Sequence, residues 1–404
     1  MKAPKPLFAV GLTLFLLGCA ADQRRYNPDW PMFQRDAGHS GAVEDAPRPP
    51  LKQKWAFATE GRLITPPSVL GGIVYFGSRD SRVYALGLED GAKRFDIELE
   101  QGGIHSALTL TESLIFAGKA EPYYFLYAWN RANGETLWSR QSGELINRPP
   151  WTLTDGLRLY THLDPRLDAA EGIQVRIAGL DPATGESLWE TPLPGIPQVV
   201  PALATELLLV ASNDQRLRAL DVASGELRWE VELVGKPVSA PLISQGRALL
   251  ATEDGFIYAF ELTSGKVAWR YQFPETRLQG DLALSGQLLL VPAGRQLLSF
   301  DLADLEPRWR FRAPAEVTAP VASREHVYLG CANGMFYVLN INNGSVAGLY
   351  RTGGEILAPP VLAGGLALVA SSDGKLYAFE EQPAAEQPRT MPRPSSKPSW
   401  MDRR

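Results

Sequence analysis

The chain has 404 residues, a formal net charge of −5 and 45% hydrophobic residues. This length allows two or three domains, although a propeller or barrel of this size can be one domain. The acidic balance and the lack of a long Lys/Arg run argue against a nucleic-acid partner, because phosphate binding needs a clustered basic face. The two cysteines, Cys19 and Cys331, are too few for a disulfide framework.

The N-terminus carries the pattern of an export signal. Lys2 and Lys5 precede an apolar run over residues 7–17, which is too short to span a membrane. The run ends in Leu-Leu-Gly-Cys at Cys19, which resembles the bacterial lipobox, whose cysteine carries diacylglycerol and becomes the mature N-terminus. We therefore predict a lipoprotein signal peptide over residues 1–18 and lipidation of Cys19. The alternative is an ordinary signal peptide with a chance cysteine.

The residues after Cys19 bear on location. Ala20 and Ala21 follow with no aspartate directly after the cysteine, which resembles the proteobacterial pattern for transfer to the outer membrane. Two or three acyl chains suffice for stable anchoring. We expect a protein that is lipid-anchored at the periplasmic face of the outer membrane, with residues 19–50 as a linker to the folded part.

A repeat of about forty residues fills the body of the chain. Six of its eight end positions are Trp, and five of the seven spacings between them are 39 or 40 residues. The end positions are Trp55, Phe95, Trp138, Trp189, Trp229, Trp269, Trp309 and Gly348. Such regular spacing indicates a packing role for the Trp rings, between neighbouring units, rather than ligand stacking.

Each repeat reads as short apolar strands separated by turns. Residues 256–260 (Phe-Ile-Tyr-Ala-Phe) are typical of a buried strand, and Asp-Gly or Ser-Gly turns supply the positive φ that tight turns need. A glycine four residues before the end position recurs in six units. Leu305 replaces it in the sixth unit, which predicts another turn geometry there.

The repeat count predicts an all-β fold, a single eight-bladed β-propeller over residues 51–380. One such sheet has two apolar faces and cannot bury them alone, so the units must close into a ring. Trp55 has no complete blade before it, whereas residues 353–380 supply three strands and no Trp strand. We therefore expect the N-terminal strand around Trp55 to close the ring by completing the last blade.

The Trp-terminated repeat, with its Tyr-Ala-Leu/Phe and Asp-x-x-Ser/Thr-Gly motifs, resembles the pyrroloquinoline-quinone (PQQ)-type propeller repeat over about residues 50–380. Residues 30–41 are similar to the leader before many such propellers. In size, lipobox and blade count the chain is most similar to the BamB family, lipoproteins of the outer-membrane β-barrel assembly machine. The resemblance implies a non-catalytic scaffold without cofactor that binds an envelope protein complex. The connections at 192–197 and 234–237 are short and lack the family's leucine-and-arginine motif.

Two other functions stay open. A PQQ-binding quinoprotein dehydrogenase or sensor would share the blades, but such enzymes typically carry a vicinal cysteine pair and a Glu/Asn/Asp set that holds calcium. Cys331 is single, and acids such as Asp181 and Asp221 recur once per blade as turn formers. We therefore expect no enzyme activity, no cofactor and no metal. The third possibility is an adaptor of another cell-envelope complex.

The repeat is longest in its second and third units, and function in repeat rings tends to lie at such insertions. The extra residues fall at 119–124 and 162–172, in the link between the second and third strands of neighbouring blades. We predict that they form a partner-binding patch, because Tyr and Arg are frequent interface hot spots. Its anchors would be Tyr123, Tyr124, Leu163, Arg166 and Leu167. The alternative is a pair of tolerated surface loops.

The C-terminus changes character after the last repeat. Residues 381–404 are rich in proline and poor in apolar side chains, which is typical of an extended, disordered tail. Such a tail is passive, or it is a short recognition arm ending in Trp400 and Met401.

Overall fold

The computed structural model describes residues 26–100, 102–120, 123–143, 150–163 and 175–383. The predicted signal peptide over 1–18, the lipidation site Cys19 and all but the first three residues of the tail lie outside these ranges. Within the described ranges, the chain forms no helix long and apolar enough to cross a membrane.

The described residues form eight four-stranded sheets, each antiparallel, arranged as the blades of one propeller. This confirms the all-β, eight-bladed fold. In blades 1 to 4 the strands are, from the first to the fourth, β2 (Ser68–Leu70), β3 (Ile73–Gly77), β4 (Arg82–Gly87) and β5 (Lys93–Glu98); β6 (Thr109–Leu110), β7 (Leu114–Lys119), β8 (Tyr124–Asn130) and β9 (Thr136–Gly143); β10 (Leu153–Thr154), β11 (Leu159–Leu163), β12 (Val175–Leu180) and β13 (Ser187–Leu193); β14 (Ala202–Ala204), β15 (Leu207–Ser212), β16 (Arg216–Asp221) and β17 (Leu227–Glu232).

Blades 5 to 8 follow the same plan. Their strands are β18 (Leu242–Ser244), β19 (Arg247–Ala251), β20 (Phe256–Glu261) and β21 (Val267–Gln272); β22 (Ala283–Ser285), β23 (Leu288–Ala293), β24 (Gln296–Asp301) and β25 (Glu306–Arg312); β26 (Val321–Ala322), β27 (His326–Gly330), β28 (Met335–Asn340) and β29 (Val346–Arg351); β30 (Val361–Ala363), β31 (Leu366–Ala370) and β32 (Lys375–Glu381), with β1 (Leu51–Ala58) as the fourth strand.

Closure of the ring follows the prediction. Strand β1 pairs with β32 from Leu51 opposite Glu381 to Ala58 opposite Lys375, so the N-terminal strand completes the eighth blade. Both ends of the ring are therefore held in one sheet. Without this pairing, the facing sides of the first and last blades would be left open to solvent. We call the face that carries the turns between first and second strands the upper face. The face that carries the links between blades is the lower face.

The Trp side chains pack between blades, as the repeat predicts. Five of them donate a hydrogen bond from Nε1 to a backbone carbonyl of the next blade, at 2.7 to 3.0 Å. The pairs are Trp55 with Leu88, Trp138 with Pro182, Trp189 with Val222, Trp229 with Leu262 and Trp309 with Ile341. Each such ring buries apolar area worth a few kcal/mol while its polar atom is satisfied.

Each of these Trp rings rests on the glycine turn between the third and fourth strands of the next blade. At Gly225 the backbone has φ +75°, and a Cβ there would stand 2.4 Å from Cε3 of Trp189. Glycine is needed twice at this position, for its left-handed backbone and for the close approach of the ring.

The prediction of a different turn at Leu305 was wrong. Leu305 has φ +61°, and its N–H donates to the Asp301 carbonyl at 2.9 Å. The corresponding bond in blade 5 runs from Gly265 to the Glu261 carbonyl at 2.8 Å. Blade 6 therefore keeps the turn of the other blades, because pairing of its third and fourth strands outweighs the 1–2 kcal/mol, roughly, that a left-handed leucine costs.

Residues 27–43, which we call the plug segment, circle the central channel and bond to the innermost strands. Its carbonyls accept hydrogen bonds at 2.8 to 3.2 Å from first-strand N–H groups of six blades. The pairs are Trp30 with Val69, Pro31 with Leu110, Ala37 with Leu203, Gly38 with Ile243, Ser40 with Leu284 and Gly41 with Ala322. Blade 8 is reached by the Gly364 N–H, which donates to the Asn27 carbonyl at 2.8 Å. Met32 packs in the core cluster of blade 3.

The plug segment corrects the linker prediction for this part of residues 19–50. Trp30 is 2% exposed and His39 is 1% exposed, so these side chains belong to the core. Burial lowers the pKa of His39 to about 4, with Asp36 opposing that change. Gln34, Arg35 and His39 all have positive φ, which bends the segment tightly enough to follow the ring. Such strained backbone conformations persist only where the surrounding structure holds them, which a free linker does not provide.

The glycine turn yields a stability prediction. We expect Gly225→Ala to lower the free energy of unfolding by about 3 kcal/mol, because it combines backbone strain with a clash against Trp189. Gly286 also has positive φ (+62°), but a Cβ there meets nothing within 4 Å. Gly286→Ala, the control, should cost only about 1 kcal/mol. Equal losses in urea unfolding would contradict the packing role of Trp189.

The plug segment yields a second stability prediction. Trp30→Ala should lower the free energy of unfolding by about 3–5 kcal/mol, because it empties a fully buried aromatic site. Leu157→Ala, on a side chain that is 75% exposed, should change it by less than about 0.5 kcal/mol. A loss below about 1 kcal/mol for Trp30→Ala in urea unfolding would restore the linker interpretation.

Candidate functional site

The central channel forms a cavity of about 410 Å³. Phe33 of the plug segment lines it, and the remaining lining residues precede or flank the first strands, on the side of the lower face. Four rings stand in its wall, namely Phe33, His105, Trp151 and His162, with Trp151 and His162 centroids 5.7 Å apart. Among the described residues, no Lys, Arg, Asp or Glu lines this cavity.

One carboxyl interrupts the apolar ring that precedes the first strands. Two residues before each first strand stand Pro66, Ala107, Trp151, Val200, Ala240, Asp281, Ala319 and Pro359, in blades 1 to 8. The Ala240 N–H donates to Oδ1 of Asp281 at 2.7 Å. Burial raises the pKa of Asp281 to about 6, and the bond from Ala240 lowers it in part.

A second cavity, the blade 1–2 groove, has a volume of about 580 Å³ and lies beside the outer strand of blade 1 and the third strand of blade 2. Tyr123, Phe125, Tyr127 and Trp129 project into it at every second residue. The centroids of Phe125 and Tyr127 lie 5.9 Å apart, and those of Tyr127 and Trp129 lie 5.1 Å apart in a parallel stack. The row passes from an exposed ring at Tyr123 (51%) to a fully buried one at Trp129.

Polar groups flank this aromatic row. Glu98 and Glu100 line the groove from blade 1, and the Lys119 Nζ lies 5.6 Å from the Phe125 ring centroid. Burial lowers the pKa of Lys119, against the attraction of Glu100. Nε1 of Trp129 is buried and has no acceptor among the described residues. An apolar wall with a few polar groups at its rim is the usual composition of a recognition site.

The predicted patch residues separate into three groups. Tyr123 is 51% exposed at the groove edge, whereas Tyr124 (8%) and Leu163 (3%) are buried, so the last two cannot anchor a partner on this surface. Tyr124 alternates with the half-buried Phe125 along β8, and Leu163 lies in a core cluster on β11, whose five residues are all buried. Arg166 and Leu167 lie outside the described residues. Both insertions do fall between the second and third strands of their blades.

Sequence reasoning missed Phe125, Tyr127 and Trp129 as groove residues. The alternating aromatics were visible, but a similar row at Phe256, Tyr258 and Phe260 belongs to the ordinary repeat, so alternation alone indicated core. The insertion beside Tyr123 was the only available signal that blade 2 differs. Cys331 is fully buried, in agreement with a small core residue. Within the described ranges, no three His, Cys, Asp or Glu residues cluster as metal ligands.

The chain is similar to a known protein family and to a curated protein of that family. The family model described as "Outer membrane protein assembly factor BamB" matches residues 52–195, 174–279 and 257–383. A curated BamB from Yersinia pestis is 39% identical over 64 residues, which is 16% of this chain and 16% of the Yersinia protein.

Solved structures agree on the fold. BamB from Moraxella catarrhalis is 18% identical, with a TM-score of 0.64 over 82% of this chain and 99% of that one. A quinohemoprotein alcohol dehydrogenase from Comamonas testosteroni is 13% identical, with a TM-score of 0.74 over 90% of this chain and 82% of that one. A europium-containing methanol dehydrogenase is 14% identical, with a TM-score of 0.71 over 87% and 98%. At these identities the likeness concerns the fold alone.

The residues around the central channel do not fit the quinone that such dehydrogenases imply. PQQ is an aromatic tricarboxylate, so its binding calls for cations, yet the described lining of the channel cavity contains no Lys or Arg. Among the eight described positions two residues before the first strands, the one carboxyl, Asp281, already accepts a backbone hydrogen bond, and one carboxyl is too few to hold a calcium ion. The described lining offers the aromatic rings of Phe33 and Trp151, the imidazoles of His105 and His162, and a few hydroxyl and amide groups.

Asp281 gives a pH prediction. Its folded pKa is about 6, against 3.8 for the free carboxyl, so the folded state binds the proton more tightly and this group favours folding below about pH 4. That contribution disappears as the pH rises through 6. Asp281→Asn keeps the acceptor for Ala240, so it should be about 2 kcal/mol more stable than the parent at pH 7 and equal to it near pH 4. An equal difference at both pH values in urea unfolding would show that Asp281 keeps an ordinary pKa.

Proposed function

The chain belongs to the family of outer membrane protein assembly factor BamB, whose model matches it from residue 52 to residue 383, and we propose from this that it is a non-catalytic, lipid-anchored scaffold in outer-membrane protein assembly. The match over almost the whole ring is the observation that carries the proposal. The partner is an envelope protein complex, with the β-barrel assembly machine as the candidate that family membership favours.

The channel supports a binding role over a quinone-dependent dehydrogenase. Its upper end is occupied by the plug segment, and the lining described above has neither Lys or Arg for the PQQ carboxylates nor Asp or Glu for its metal. The likeness to dehydrogenases extends over most of the chain, but below 15% identity it concerns only the blades. We therefore assign no reaction to this protein.

The blade 1–2 groove is the partner-binding surface in this proposal. Tyr123 is an exposed aromatic beside a row of stacked rings, and such rings supply large contact area at low entropic cost. Trp129 ends the row inside the blade, where its Nε1 is buried, so the rings open to a partner are those nearer Tyr123. The flanking carboxylate of Glu100 favours a partner segment that carries a basic residue beside an apolar one, whereas Glu98 pairs with Arg82.

Location follows from the N-terminal pattern. A lipid on Cys19 would tether the ring at the membrane, since residues 19–25 span at most about 25 Å before the plug segment begins. We propose the periplasmic face of the outer membrane, in keeping with the family's name.

Crosslinking in native membranes, followed by purification of the tagged protein and mass spectrometry, tests the proposal. We expect Tyr123→Ala with Glu100→Lys to lower recovery of the barrel-insertion protein at least tenfold, because both groups lie exposed at the groove. The control, Leu157→Ala with Glu112→Lys, truncates an exposed apolar side chain and makes the same charge reversal on the upper face, and it should leave recovery unchanged.

Two outcomes would contradict this account. Recovery of a different envelope complex would make the protein an adaptor of that complex. Equal recovery for both double variants would remove the groove as the binding surface.

A further inference from the structure

The outer strand of blade 6 carries an unusual row of charge. Arg308, Arg310 and Arg312 alternate along β25 with Trp309 and Phe311, so the arginines are exposed while the aromatic rings pack inward. Arg308 is held by Asp301 at 2.8 Å and by Asp304. Arg310 and Arg312 have no carboxylate within ion-pair distance among the described residues. Two cations on one strand are thus left to solvent.

In four other blades, namely 1, 3, 4 and 8, charges on the outer strand pair with opposite charges on the neighbouring third strand. In blade 4, Glu230 of the outer strand pairs with Arg216 and Arg218 of the third strand. In blade 1, Asp96 and Glu98 pair with Arg82 in the same way. In blade 6 the outer strand carries arginines where blades 1 and 4 carry carboxylates, and the third strand has no acidic residue opposite Arg310 or Arg312.

The residues opposite the two free cations are neutral. Arg310 lies opposite Leu298, and Arg312 lies opposite Gln296. The row is therefore not part of the cross-strand pairing that stabilises other blades.

Neighbouring elements extend this charge. Exposed arginines without an ion pair in the described ranges also lie on the outer strand of blade 5, in a turn of blade 6 and on the outer strand of blade 7. With the two on β25, they form what we call the arginine rail: Arg270, Arg295, Arg310, Arg312 and Arg351. The chain as a whole is acidic, at −5, and exposed carboxylates such as Glu275 and Glu316 lie on the links of the same blades, so the rail is defined by its unpaired arginines and not by the net charge of this surface.

We propose that the arginine rail binds the phosphate headgroups of an anionic lipid bilayer. Basic residues close to an anionic bilayer contribute roughly 1 kcal/mol each, without needing a pocket. An acidic protein partner would call for an aromatic anchor at the centre of the interface. No exposed aromatic side chain belongs to the described part of blades 5 to 7. The rail would hold the ring with blades 5 to 7 toward the membrane, leaving the blade 1–2 groove directed away from it.

This proposal rests on the lipid anchor only for bringing the ring near a bilayer, so it is tested without the lipid. Residues 19–404 with Cys19→Ser are mixed with vesicles of phosphatidylcholine alone or with 30% phosphatidylglycerol, and binding is measured by flotation. We expect binding to the anionic vesicles that weakens between 0.1 and 0.5 M salt, because screening shortens the Debye length from about 10 to below 5 Å.

Charge reversal identifies the surface. Arg310→Glu with Arg312→Glu should lower the partition coefficient at least tenfold with an unchanged melting temperature. Arg79→Glu with Lys375→Glu, on exposed residues of blades 1 and 8, makes the same change in net charge and should lower it less than twofold.

Several results would overturn the proposal. Equal binding to both vesicle types, or an equal loss in both double variants, would show that the rail does not recognise the bilayer. Displacement by inorganic phosphate at matched ionic strength would assign the rail to a discrete phosphate ligand. Binding to polyglutamate without binding to vesicles would assign it to an acidic protein.

Discussion

The backbone hydrogen bonds between the plug segment and the first strands are the constraint on which the ring depends. In a propeller, the inner edge of every sheet faces the channel, and its N–H groups need acceptors. Here one stretch of chain supplies carbonyls to blade after blade in order, as at Pro31, Ala37 and Ser40. The blades are thus joined to their neighbours through Trp packing and to a common centre through main-chain bonds.

This arrangement has a consequence for the channel. Because the plug segment occupies the upper end, the remaining cavity opens toward the lower face, and the rings of Phe33, Trp151, His105 and His162 stand in its wall. The described lining of this cavity contains no Lys, Arg, Asp or Glu. The binding surface proposed above lies instead at the outside of the ring, between blades 1 and 2.

The parts of the fold that repeat could be predicted from the sequence, and the parts that do not repeat could not. Trp spacing gave the blade count, and Trp55 gave the closure, because each rests on side chains that recur. The plug segment was mistaken for a linker because its main contribution comes from backbone carbonyls, which any residue carries. The turn at Leu305 was predicted wrongly for a related reason. Leucine disfavours a positive φ, but the pairing of the strands on either side of the turn imposes that conformation.

The candidate site shows the same limit. The longer second unit of the repeat drew attention to Tyr123, which is exposed. Side chains alternate between the two faces of a strand, so the next residue, Tyr124, is buried in the core. The buried Trp129 was indistinguishable in sequence from the aromatic residues that fill other blades. The arginines of β25 are visible in the sequence. Whether they form ion pairs depends on which residues of the third strand lie opposite them, and this register is known only from the structure.

Native-state hydrogen exchange tests the central claim most directly. The N–H groups of Leu110, Leu203, Ile243 and Leu284 donate to the plug segment, so we expect protection close to that of the buried ladder amides in the same blades, with opening free energies near the global value. Exchange of these four amides many orders of magnitude faster, while the ladder amides stay protected, would show that the plug segment does not hold the ring together.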